Sequence, residues 1–242
     1  MCLQFAVVCR SRVIGLCLPD DESSVITMNE DQAIEETWCF VDVAGFTALT
    51  DVHGDVAAAD LVERFVLLVR DALGDQSRLV NTVGDAVFVT CDDPIAAVEF
   101  LDKLFRAADS EADFPTLRAG IHHGPVVKRG GSVFGASVNL AARVAGQARG
   151  GQILATRVVA RLIEPRAVET TDLGKFRLRN IAEPVGLVAV HVAKEGSSKV
   201  LDPVCRMSVA PEHAPARLRH GGADYWFCSL ARLCRNSLVS FG

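Results

Sequence analysis

The stretch Cys39–Asp51, CFVDVAGFTALTD, constrains this chain more than any other. Cys39, Phe40, Val41 and Val43 read as a strand, yet one acid, Asp42, sits among them. Breaking a buried ion pair costs about 3–5 kcal/mol, so a carboxylate inside a strand needs a partner. Either the strand reading at Asp42 is wrong, or Asp42 ends the strand, or it holds a cation. Ala44-Gly45-Phe46-Thr47 follows, and then helix-forming sequence. Gly45 permits a tight turn, after which the amides of a helix start face outward and form an anion site. A carboxylate beside an anion site suits a metal–phosphate ligand.

Two further stretches share this character. Leu79–Val89, LVNTVGDAVFV, is two β-rich runs joined as a hairpin at Gly84-Asp85. Alone, Gly-Asp between strands is usually a turn and nothing more. Beside Asp42 it offers a second acid at a strand end, and two such acids can share a pair of divalent cations. Phe134–Arg143, FGASVNLAAR, is a glycine turn running into a helix, with Asn139 and Arg143 four apart on one face. Alone, that face is the wet side of an amphipathic helix.

Together these stretches resemble the class III nucleotidyl cyclase catalytic domain, from about Trp38 to Val192. The resemblance rests on F-x-D-x-x-G-F-T at Phe40–Thr47, T-x-G-D at Thr82–Asp85 and G-x-x-V-N-x-A-A-R at Gly135–Arg143. It implies two Mg²⁺ or Mn²⁺ ions on Asp42 and Asp85, with the Val43 carbonyl as an added ligand. The amides of Gly45, Phe46 and Thr47 would bind the β- and γ-phosphates. Asn139 would orient the ribose and Arg143 would stabilise charge at the α-phosphate, both supplied by a partner chain. The implied assembly is a head-to-tail homodimer with two sites.

Arg179, in Leu178-Arg179-Asn180, stands where such cyclases usually carry lysine and would reach the triphosphate. The base-reading positions depart from the family. Asn81 occupies the adenylate cyclase lysine position and Ser132 that of its Asp or Thr partner, and the guanylate pair of Glu and Cys is missing too. Both side chains donate and accept hydrogen bonds, so they could read either purine with weak discrimination; the resemblance to divergent bacterial members with Asn at the lysine position implies ATP. A rival reading is a degenerate cyclase-like domain that binds nucleotide without turnover, or a metal- or redox-sensing regulator.

Along the chain, helices are expected over Asp55–Leu73, Pro94–Ala108 and Ala136–Gln147, with a shorter one after Thr156. Asp55, Asp92 or Asp93, and Thr156 are the candidate caps. Strands are expected over Leu117–Gly124, Gln152–Ala155, Val168–Arg179 and Val185–Val192, and a glycine-rich basic loop over Lys128–Ser132. His122-His123 suggests a metal, but neighbours on a strand face opposite ways, so one buried and one exposed ring is expected. The fold class is α+β: a ferredoxin-like cyclase sandwich of a mixed sheet with helices on it.

The domain organisation expected is a disordered tail over 1–35, the catalytic domain over 36–194, a polar linker over 195–200 and a small module over 201–242. Asp202-Pro203-Val204-Cys205-x-Met207 and Tyr225-x-Phe227-Cys228-Ser229 resemble a YHS domain, a treble-clef-like unit. Cys205, Cys228 and Cys234 are its candidate ligands, for Zn or Cu. So small a module gains from a metal or from docking.

Net charge of −5 gives no support to nucleic acid or an anionic membrane as partner. No apolar run reaches 18 residues, so no membrane span is expected. The eight cysteines are scattered, which fits a reducing cytoplasm better than a disulfide framework.

Overall fold

The computed structural model describes residues 33–111, 113–129, 132–192, 199–205 and 207–229. Its centre is the long strand β1, Ala33–Val43, which pairs antiparallel with β3 (Ala86–Cys91) on one side and β4 (Leu117–Arg129) on the other. With β2 (Ser77–Val83), β5 (Ser132–Phe134), β6 (Ile153–Thr156), β7 (Thr170–Phe176) and β8 (Val185–Val190), it builds an eight-stranded sheet. The order is β2-β3-β1-β4-β6-β8-β7, with β5 on β4. Only β4 and β6 run parallel among these pairs, so the sheet is mixed, as expected. The last three residues of the span 1–35 open β1; the rest of that span lies outside the described residues.

Alternation along β1 divides the sheet's two faces. Cys39, Val41 and Val43 turn inward and are buried, joined by Val87, Val89, Ala119, Ile121, Ile153 and Ala155 from neighbouring strands. This face is covered by α1 (Phe46–His53), α2 (Asp55–Ala72), α3 (Pro94–Ser110) and α5 (Arg157–Ile163). In α2 the buried residues Ala58, Leu61, Phe65, Val69 and Ala72 recur every three or four positions, which lays one stripe on the sheet. The even-numbered face carries α4 (Ala136–Ala145), which buries Ala141 against Trp38 and Val126, and Val144 against Leu154 and Leu187.

The caps differ in part from the expectation. The Asp93 carboxylate accepts hydrogen bonds from the amides of Ile95 and Ala96, at 2.8 and 2.9 Å, with Pro94 in the first turn. Asp55 is instead the first residue of α2, whose cap is Gly54. Thr156 makes no cap bond, because its hydroxyl pairs with His122 Nδ1 at 3.0 Å. His123 Nδ1 meets Thr37 Oγ1 at 2.9 Å on the other face, so the two histidines do point apart. Both rings are half-buried rather than one of each kind. Burial and the neighbouring His123 hold the His122 ring down to a pKa of about 4, so it is neutral at pH 7. The expected loop over Lys128–Ser132 is the tip of a hairpin: β4 runs through Arg129 and pairs with β5.

The C-terminal segment forms two small hairpins, β9 (Val200–Leu201) with β10 (Ser208–Val209) and β11 (Ala216–His220) with β12 (Ala223–Phe227). It sits on the edge of the main body. Met207 bridges to Pro115 and packs against the main core. The Lys199 ammonium donates to the carbonyls of Asp109 and Glu111. No helix among the described residues is long and apolar enough to cross a membrane.

Gly120 sets how closely α4 approaches β4. A Cβ there would lie 2.2 Å from the Ala145 nitrogen and 2.4 Å from the Ala141 oxygen, both backbone atoms that cannot step aside. Gly120→Ala is expected to cost about 2 kcal/mol or more of unfolding free energy, typical of overpacking. Denaturant titration reads this; a loss below about 0.5 kcal/mol would show that α4 can lift off without cost.

Candidate active site

Asp42 lies one residue from the end of β1, between Ala86 on β3 and Arg118 on β4. Its even position turns it to the α4 face, away from the apolar core. The Arg118 guanidinium clamps it: Nε donates to Asp42 Oδ2 at 2.8 Å, and Nη2 donates to the same oxygen. Asp42 is thus paired, as a half-buried strand acid requires. Arg118 was not legible as a site residue, because it reads as one polar position in an otherwise apolar strand.

Asp85 sits in the β2–β3 turn after Gly84, whose φ of 59° is left-handed. Its carbonyl accepts the Val43 amide at 3.2 Å, which ties the turn to the end of β1. Burial, then the hydrogen bond to Asp42 and its charge, push the Asp85 carboxyl up to about 6; Arg118 pulls the other way. The Val43–Asp85 bond puts the turn that carries Asp85 at the same end of the sheet as Asp42. A proton held between two acids is also the state a cation would replace, so this donor set fits a hard divalent ion.

Immediately after β1, the Ala44 amide donates to the Thr116 carbonyl at 2.9 Å. Gly45 then caps α1 with φ 79°, where a side chain would be strained. The Gly45 carbonyl accepts from the Leu49 amide at 3.0 Å and starts the helical ladder. The first-turn amides of α1, including Phe46 and Thr47, have no helical acceptor and follow Asp42 closely in the chain.

The other expected residues fall into two groups. Asn81 lies across from Phe88, which stacks edge-on against Phe40 with centroids 4.5 Å apart. Asn81, the two rings and Asp42 therefore share one face of β1, β2 and β3. Asn139 and Arg143 are exposed on α4, whose buried side faces the sheet. Arg179 is exposed in the connection after β7, beside buried Leu178. Ser132 opens β5 at the hairpin tip.

In the C-terminal segment the Asp202 carboxylate accepts amides from Val204, Cys205 and Cys228, at 2.8, 3.2 and 2.9 Å. That brings the thiols of Cys205 and Cys228 to 3.6 Å. The hydrogen bond between them draws Cys205 down to about 6 and pushes Cys228 well above the ordinary thiol value. Cys234 lies outside the described residues.

Cation binding by Asp42 and Asp85, which the resemblance implies, would depend on pH. Without a cation, folded Asp85 keeps its proton between about 3.8 and 6, where the unfolded carboxyl has lost it. This group therefore favours the fold below that window, and the advantage disappears as pH rises through about 6. A cation must displace the proton, so Mn²⁺ affinity is expected to fall steeply below pH 6 and to level off above pH 7. Binding isotherms between pH 5 and 7.5 check this; a flat profile would separate Asp85 from the cation.

Residues 29–192 match the adenylate and guanylate cyclase catalytic domain family. The pH-sensitive adenylate cyclase MT1302 of Mycobacterium tuberculosis is 35% identical over 163 residues, 66% of this chain and 41% of that protein. An adenylate cyclase of Streptomyces griseus is 39% identical over 106 residues, 43% of this chain and 27% of that one. The chain thus spans less than half the length of these relatives. The adenylyl cyclase CyaB of P. aeruginosa shares the fold with a TM-score of 0.59 at 21% identity, over 68% of this chain and 97% of that one. An adenylate/guanylate cyclase/hydrolase from Silicibacter pomeroyi does so with a TM-score of 0.58 at 26%, over 67% and 99%. With the motifs in order on this sheet and the family match spanning most of the chain, the protein belongs to the class III nucleotidyl cyclases.

Proposed function

We propose that the chain is an adenylate cyclase that converts ATP to 3′,5′-cyclic AMP and pyrophosphate across a homodimer interface. The Asp85 carbonyl, bonded to the Val43 amide, ties the second acid to the strand end that carries Asp42 and leads into α1, and this carries the reading. Two Mg²⁺ or Mn²⁺ ions, when bound, would supply charge that acidifies the ribose 3′-hydroxyl and neutralises the phosphates. Asp42, Asp85 and the Val43 carbonyl would hold them. The amides of Gly45, Phe46 and Thr47 grip the β- and γ-phosphates. The ribose 3′-oxygen attacks the α-phosphorus in line, and pyrophosphate leaves from the opposite side.

Charge on the α-phosphate falls to Arg143 and ribose orientation to Asn139. Both sit on the exposed side of α4, which suits delivery to the acid pair of a second copy. Val80 and Val83 of β2 and Phe134 of β5 leave 45%, 55% and 59% of their surfaces exposed, apolar area that a second copy would cover. Arg179 adds charge for the triphosphate. Asn81 and Ser132 read the base. ATP is favoured by the relatives named as adenylate cyclases and by the Asn81 amide, which can meet the adenine edge. The reducing cytoplasm is the proposed setting, with 36–194 as the catalytic domain and 201–242 as a YHS module that takes Zn or Cu at its thiols.

The full chain with Mn²⁺ and either nucleotide is expected to yield cyclic AMP in excess of cyclic GMP, read by chromatography. Asp42→Ala should lower the rate by about a hundredfold or more. An equal mixture of Asp42→Ala and Arg143→Ala chains should recover about a quarter of the wild-type rate, since half of randomly paired dimers hold one intact site of two. No recovery, with both variants folded and dimeric, would sink the shared site. ATP binding without product would leave a nucleotide-binding protein.

A further inference from the structure

The sequence assigns the C-terminal metal to cysteines alone, but the structure places a residue of the catalytic unit among them. His53 is the last residue of α1, and one of its ring nitrogens lies within 4.8 Å of both Cys205 Sγ and Cys228 Sγ. The three come from places far apart in sequence and meet where the C-terminal hairpins dock. We infer that His53, Cys205 and Cys228 form one binding site for a thiophilic divalent metal of the zinc class. The site ties the C-terminal segment to α1.

The geometry supports this on three counts. Tetrahedral zinc with bonds of about 2.3 Å to sulfur separates two sulfurs by about 3.8 Å. The observed separation is 3.6 Å, so little movement is needed. The thiol-bearing backbone is also prearranged: buried Asp202 holds the amides of both cysteines, as an outer-shell carboxylate does in metal sites. Finally, a cavity of about 330 Å³, lined by Leu49, His53, Asp113, Met207 and Cys228 among others, opens beside two of the three groups. It leaves the fourth position to water or a small ligand. Two thiolates and an imidazole select a soft or borderline ion, unlike the all-oxygen acid pair at the other end of α1.

Those two ends share a helix of eight residues, about 12 Å long. Metal on His53 restrains the helix whose first turn faces the phosphates. This link to the phosphates rests on the cyclase reading; the metal site itself does not. By reciprocity, any effect of this metal on nucleotide affinity must appear equally as an effect of nucleotide on the metal.

Cobalt is the probe, because thiolate ligands give it a charge-transfer band that carboxylates do not. The full-length chain, kept reduced, is expected to bind one Co²⁺ with that band and with the visible absorption of a tetrahedral ion. His53→Gln, at a half-buried position where the fold can tolerate it, should weaken this binding at least tenfold and shift the visible bands. A circular dichroism melt confirms that the variant is folded. Cobalt binding by His53→Gln with unchanged affinity and spectrum would overturn the assignment, as would no charge-transfer band in the wild type. Asp42→Ala should keep the band, so a failed cyclase reading leaves this result standing. Loss of the band in that variant would mean the two sites are not separate, and would overturn the proposal.

Discussion

The register of β1 between β3 and β4 is the constraint on which the rest depends. Side chains alternate along a strand, so a slip of one residue would send Asp42 into the packed layer of Cys39, Val41 and Val43. The same slip would bring those apolar residues to the open face. Burial of three strand residues thus decides where one acid stands. The register also brings Arg118 opposite Asp42 and the Val43 amide to the Asp85 carbonyl. The site is the end of a sheet, held by the packing of its middle.

The helices divide the remaining work. Those on the core side cover apolar surface, and α1 begins just after the Asp42 strand while its last residue lies within 4.8 Å of the C-terminal thiols. On the opposite face α4 buries small residues and presents polar ones. Gly120 allows its backbone to lie almost on β4, so Asn139 and Arg143 stand on a firm base although their side chains are exposed.

Much of this was legible in the sequence, for a physical reason. Asp42, Gly45 and Asp85 belong to local patterns in which an acid or a glycine interrupts a strand, and such interruptions stand out against apolar alternation. The mixed sheet, the helices and the opposed histidines followed from periodicity. Contacts made through pairing of distant strands were not legible. Arg118 is 76 residues from Asp42, and His53 reads as an ordinary residue at the end of a short helix until the C-terminal hairpins dock beside it. The Asp55 cap failed because Gly54 makes the turn into α2; Thr156 does stand at the cap position of α5, but a histidine on the neighbouring strand claims its hydroxyl.

The Arg118–Asp42 pair has a consequence for which ions the site admits. An ion approaching Asp42 meets a carboxylate already matched by a guanidinium of single positive charge. At a given distance, attraction scales with the product of the charges. A sodium or potassium ion therefore offers no more than the arginine does, and it would have to shed water first. A doubly charged ion doubles the attraction and can draw both carboxylates toward itself. On the proposed cation reading, the resident arginine would make the site a filter for valence ahead of any selection by size.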